Sequence, residues 1–156
     1  MTEQEAHAWL DARGWWKDTL GDRLRNFVDL VLFEADKQNL ISAGSRAHIW
    51  SRHVVDSLQL TELLPSAARK EGLWADLGTG AGFPGLAIAC IRDAPIQLIE
   101  SRPLRIDFLR RSIATLGLGH AEVVGTKVER VSTGSPARVI SARAFAPLDR
   151  LLAVSP

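Results

Sequence analysis

The 156-residue chain holds 46% hydrophobic residues, enough for one domain with a buried core, and its formal charge of +1 means that any contact with nucleic acid must come from a local patch. A single cysteine, Cys90, excludes an internal disulfide framework; the opening Met1-Thr2-Glu3-Gln4-Glu5 lacks the order of a signal peptide, and no apolar run approaches a membrane span. A cytoplasmic protein with no membrane attachment is expected.

Thr2 and Glu5 form a capping-box pair, so a helix is predicted to begin at once with Ala6, Trp9 and Leu10 on one face and to loosen or end at Gly14. From Leu20, the residues Leu24, Phe27, Val28, Val31 and Leu32 recur at helical spacing, and the pattern fades over Asp36 to Asn39. A third helical stretch is predicted from about Ala47 to Leu64, stopped by Pro65 and followed by a linker from Ser66 to Gly72. Residues 1–70 thus read as an N-terminal helical cap.

The period then changes. Strands are predicted at Leu73 to Leu77, Ile96 to Glu100, Ala121 to Val124 and Arg138 to Ala142, with helices at Gly85 to Ile91 and Pro103 to Leu116. Thr126 to Pro136 reads as loop with one helical turn at Lys127 to Val131, and a further helix starts at Leu148. The alternation predicts an α/β fold, a doubly wound, mostly parallel sheet with right-handed crossovers over residues 71–156, forming one structural unit with the cap. Four strands are few for such a sheet, so the last strands are expected to be missing.

The first strand runs into Gly78-Thr79-Gly80-Ala81-Gly82-Phe83-Pro84-Gly85, where Gly78, Gly80 and Gly82 permit positive φ and leave bare backbone for a ligand. Gly80 to Gly85 matches the dinucleotide fingerprint, and Glu100, about 20 residues on at the end of the second strand, stands where a ribose would be held. Asp76 decides between cofactors, because a carboxylate beside that turn repels a pyrophosphate but suits the ammonium and sulfonium of S-adenosylmethionine. An NAD-dependent oxidoreductase is therefore the less favoured reading.

Asp76 to Gly85 closely resembles the motif of the bacterial 16S ribosomal RNA guanine-N7 methyltransferases, the glucose-inhibited division protein B family, whose fold is the Rossmann-like class I S-adenosylmethionine-dependent methyltransferase. Asn39-Leu40, Arg52-His53-Val54-Val55-Asp56-Ser57, Glu100-Ser101, Phe108-Leu109, Val128-Glu129 and Ser141-Ala142-Arg143-Ala144 resemble further signatures of that family in its order. The resemblance implies cofactor contacts at Gly78 and Phe83, at Val128 and Glu129 beside the adenine, and at Arg143 near the reacting end. Gln38-Asn39-Leu40-Ile41 departs from the family's Tyr-Asn-Leu-Thr, and Leu104 takes a place often basic there. Family members continue through further strands and a Lys-Gly-bearing loop, so the sequence reads as a C-terminally truncated member, with a non-catalytic S-adenosylmethionine-binding chain as the alternative function.

The implied chemistry is methyl transfer to N7 of a guanine, a lone-pair nucleophile at neutral pH, so positioning dominates, Arg143 is its candidate and no general base is expected. Substrate candidates are Asn39, Arg52, His53, Arg102 and Arg105; for Arg102, Arg105, Arg110 and Arg111 phosphate tracking and a solvated helix face are both open readings. Trp15 and Trp16 read as helix-packing residues and Cys90 as an inert core thiol; His7, His48 and His120 lack metal-ligand spacing, so no metal is expected. The expected partner is 16S ribosomal RNA, and an exposed sheet edge invites self-association.

Overall fold

The computed structural model describes residues 1–131, 136–143 and 152–153. Helix α1 (Glu3–Asp11) starts on the capping box, with the Glu5 N–H donating to Thr2 Oγ1 and the Thr2 N–H donating to the Glu5 carboxylate. Helix α2 (Asp18–Glu34) buries Leu24, Phe27, Val28 and Val31 as its spacing predicts.

The third stretch is not one helix. A separate single turn, α3 (Ala43–Arg46), precedes it, and the stretch itself holds a π-helical turn over Trp50–Val55 followed by α4 (Asp56–Glu62). The Glu3 carboxylate of α1 accepts from the N–H groups of Trp50 and Ser51, at 3.1 and 2.9 Å, and so caps the start of the π turn. Glu3 is held below the ordinary carboxylate pKa: burial alone would raise it, and the hydrogen bonds from Ser51 and Trp50 outweigh that. The expected linker also contains a short helix, α5 (Ser66–Lys70), because Pro65 ends α4 yet serves as the N-cap of the next turn. The Arg92 guanidinium donates to the carbonyls of Arg69, Glu71, Gly72, Ala94 and Pro95, tying this segment to the sheet at the N-terminal ends of its strands.

Strands β1 (Trp74–Leu77), β2 (Ile96–Glu100), β3 (Ala121–Gly125) and β4 (Val139–Ala142) form a parallel sheet in the order β3-β2-β1-β4. Helices α6 (Gly85–Ile91) and α7 (Pro103–Leu116) take the predicted bounds, and a 3₁₀ turn at Val128–Arg130 falls within the predicted turn. The helix expected at Leu148 lies outside the described residues.

Side-chain alternation divides the sheet's two faces. Trp74, Ile96 and Leu98 join one hydrophobic cluster with α2, the π turn, α6 and α7, whereas Ala75, Leu77 and Ile99 pack with Val128 on the other face. The chain steps from β1 outward to β2 and β3, then returns to the far side of β1 for β4. That reversal creates a switch point beside β1, where open α/β sheets place ligands beyond the carboxyl ends of their strands.

Candidate functional site

A cleft of about 370 Å³ opens at that switch point, within the range of small-molecule sites. The loop after β1 lines it with Gly78, Thr79, Gly80, Ala81 and Phe83; the segment after β2 adds Arg102 and Arg105; Arg143 follows β4; and the cap supplies Leu40, Ile41, Ser42 and His53. Gly78 and Gly80 have φ of +67° and +59°, so bare backbone meets the cleft, and the Phe83–Pro84 peptide is cis. Gly82 faces inward, where an added Cβ would sit 2.9 Å from Leu86 and 3.0 Å from Phe27.

Asp76, expected to face a ligand, is fully buried and does not line the cleft. One carboxylate oxygen accepts from the Gly85 N–H at 2.9 Å and the other from Ser141 Oγ at 2.6 Å, and Ser141 in turn accepts from Trp74 Nε1 at 2.8 Å. The side chain thus joins β1, β4 and the start of α6 behind the glycine loop. Burial pushes its pKa up to about 6 against the opposing pull of these hydrogen bonds. It stays largely ionised at neutral pH.

Glu100, at the end of β2, is buried and accepts from the Gly80, Ser101 and Arg102 N–H groups at 2.9 to 3.1 Å. Arg102 also grips both of its oxygens, through Nε at 3.0 Å and Nη2 at 3.1 Å. Burial alone would raise the Glu100 carboxyl, but these donors and the Arg102 charge hold it below its ordinary value. Arg105 reaches across the cleft to the Asn39 carbonyl at 3.0 Å, joining α7 to the cap.

On the opposite wall Arg143 Nη1 donates to His53 Nδ1 at 2.9 Å, and Nη2 donates to the Arg52 carbonyl at 3.1 Å. Asp56 Oδ2 lies 3.7 Å from the same guanidinium. Burial, then the neighbouring Arg143 charge, pulls the His53 pKa down to about 4, so the ring is neutral at physiological pH.

Of the residues singled out in the sequence, Gly78, Gly80, Phe83, His53, Arg102, Arg105 and Arg143 meet around the cleft. Glu100, Asn39 and Arg52 touch it through their bonds to Gly80, Arg105 and Arg143. Val128 is buried beneath the sheet and Glu129 is exposed; neither lines the cleft. Leu40, Ile41 and Ser42 were not named as cleft residues, although the Gln38-Asn39-Leu40-Ile41 segment singled out in the sequence contains the first two. Nothing in the spacing foretold Ser141 as the partner of Asp76. Trp16 stacks on His7 and meets Trp50 edge-on inside the cap, and Cys90 is buried with its thiol pKa pushed up to about 12 by burial.

The GidB family model, rRNA small subunit methyltransferase G, matches residues 21–155. A ribosomal RNA small subunit methyltransferase G of Novosphingobium aromaticivorans is 47% identical over 99% of this chain and 67% of its own length. That of Sphingopyxis alaskensis is 47% identical over 92% of this chain and 63% of its own length. The chain thus spans about two thirds of such relatives. Among solved structures, a methyltransferase from Thiobacillus denitrificans in complex with S-adenosyl-L-homocysteine superposes with a TM-score of 0.55 at 13% identity, covering 79% of this chain and 48% of that one. A putative methyltransferase from Escherichia coli, yhhF, gives 0.52 at 21% identity, covering 63% and 58%. These two likenesses establish the class I methyltransferase fold. Fold, family match and relatives agree: the chain belongs to the rRNA small subunit methyltransferase G family of S-adenosylmethionine-dependent rRNA methyltransferases.

Proposed function

We propose that this chain methylates N7 of a guanine in 16S ribosomal RNA, and that the cleft at the switch point is where donor and base meet. The observation that carries this reading is the convergence of three strand ends on one cleft: bare glycine backbone after β1, Glu100 and its arginines after β2, and Arg143 after β4. These residues fit the methyl donor. Gly78 and Gly80 would set bare backbone beside it, and Glu100 would accept from its ribose hydroxyls in place of Arg102, whereas Val128 and Glu129, which lie outside the cleft, would have to move to meet its adenine.

S-adenosylmethionine supplies an electrophilic methyl group that N7 takes with its lone pair, leaving a neutral thioether and a positively charged base. The protein's part is placement. Arg143 positions the base at the reacting end, and Asn39, Arg52, Arg102 and Arg105 engage RNA around the mouth, where phosphate contacts dominate affinity. His53 is not a proton acceptor, because its one basic nitrogen faces Arg143. Asp76 acts on a cation in the cleft through the loop and not by contact.

Isothermal titration with S-adenosylmethionine, S-adenosylhomocysteine and NAD tests the cofactor reading. Both sulfur ligands bind, NAD does not, and Glu100→Gln weakens the sulfur ligands by about tenfold. Transfer of a labelled methyl to 16S ribosomal RNA, with N7-methylguanosine as the digestion product, tests the reaction. A folded chain that binds none of the sulfur ligands would sink the proposal.

A further inference from the structure

The π-helical turn Trp50–Val55 performs no task in the reaction as described, although such turns recur at functional sites. Three groups from this turn and the residue after it converge on one guanidinium: the Arg52 carbonyl, His53 Nδ1 and the Asp56 carboxylate all face Arg143. We propose that His53 is a positioning residue, its Nδ1 lone pair fixing the Arg143 guanidinium at the wall of the cleft, with the π turn as the rigid mount. This rests on the reading of Arg143 given above.

Arginine has no acceptor and keeps its charge, so the contact requires a His53 Nδ1 that carries no proton. The ring must then be the neutral tautomer with its proton on Nε2. Nε2 is buried and has no hydrogen-bond partner among the described residues, so among them only the contact with Arg143 bears on the tautomer.

The mount is held from several sides. Val54 and Val55 are buried in the core, Glu3 caps the start of the turn, and Ser57 Oγ donates to the His53 carbonyl. The His53 ring lies 5.1 Å from that of Phe83, which itself packs 5.0 Å from Phe27. His53 therefore links the ligand-facing loop to Arg143, and these contacts hold the turn from which its ring projects.

Two readouts test this. In the chain with ¹⁵N-labelled histidine, nuclear magnetic resonance at neutral pH shows His53 with a bare Nδ1 and a protonated Nε2, and Arg143→Ala abolishes that single-tautomer signature. In methyl transfer, His53→Leu keeps bulk but removes the acceptor and lowers kcat by about 10- to 100-fold, a larger effect than its effect on donor affinity, since a small misplacement in a positioned site costs that much. His53→Asn, whose Oδ1 falls near the place of Nδ1, restores most of the rate. A protonated Nδ1, a signature indifferent to Arg143, or an Asn variant as impaired as the Leu variant would overturn the proposal. If the parent chain fails to bind the methyl donor, the function proposed above fails, while the resonance experiment still decides the clamp.

Discussion

Asp76 and His53 are pushed in opposite directions by the same force, burial, because one is charged when deprotonated and the other when protonated. The folded chain holds the Asp76 proton up to about pH 6 against an ordinary 3.8, so its contribution to stability is fully present below about pH 4 and is lost as pH rises through 6. At about 1.4 kcal/mol per pH unit that amounts to roughly 3 kcal/mol for this fully buried group. His53 falls from 6.5 to about 4, so its contribution is present above 6.5 and is lost as pH falls toward 4. The depressed carboxyls of Glu3, Glu34 and Glu100 act at lower pH. Urea unfolding of the parent is therefore expected to depend little on pH between about 4.5 and 6.5, since the two groups oppose each other there. Asp76→Asn makes stability rise with pH across that window, and His53→Asn makes it fall. An unchanged slope in the Asp76 variant would refute the argument, whatever the absolute cost of the substitution. The sequence placed Asp76 at the head of the glycine loop and read it as facing a ligand, whereas its carboxylate turns away from the cleft. Two residues along the strand from Trp74, it shares the face that packs on α6, and its partner Ser141 comes 65 positions later.

At the level of elements, segments with clear flanking signals were legible, and those shaped by distant contacts were not. β2, α6 and α7 take the bounds that period and flanking residues predict. The stretch from Ala47 to Leu64 misled because one wide π turn leaves the apolar spacing of Ile49, Trp50, Val54 and Leu58 compatible with an α-helix. α5 is too short to show any period. What fixes the π turn is a carboxylate 47 positions earlier, which no local pattern reveals. Replacing it tests that tie: Glu3→Ala removes two charge-assisted hydrogen bonds and leaves the Trp50 and Ser51 N–H groups without their acceptor. A loss of about 1–3 kcal/mol is expected in thermal unfolding followed by circular dichroism. Glu3→Gln, which keeps one acceptor, recovers part of it. A Glu3→Ala variant as stable as the parent would mean that the π turn holds without α1.

For the whole molecule, the sheet order places the cleft, and the order follows from strand and helix alternation plus one reversal that no sequence period announces. The same order leaves β4 paired with β1 alone among the described residues. Beside it runs an apolar groove lined by Leu60, Leu63, Leu64, Trp74, Val139 and Ile140, in which Leu63 is 80% exposed. A strand edge with no partner among the described residues, next to an apolar strip that none of them covers, is the combination that templates pairing between chains. We infer self-association of this chain through the β4 edge, two copies burying Leu63 and Ile140 against each other. Sedimentation velocity over a rising concentration series should show a growing dimer. Leu63→Glu, which sets a charge in the strip at a site already open to water, should return the chain to monomer without lowering its stability by more than about 0.5 kcal/mol. A parent that sediments as one monomeric species throughout the series would remove this reading and leave the cleft untouched, since groove and cleft share no lining residue.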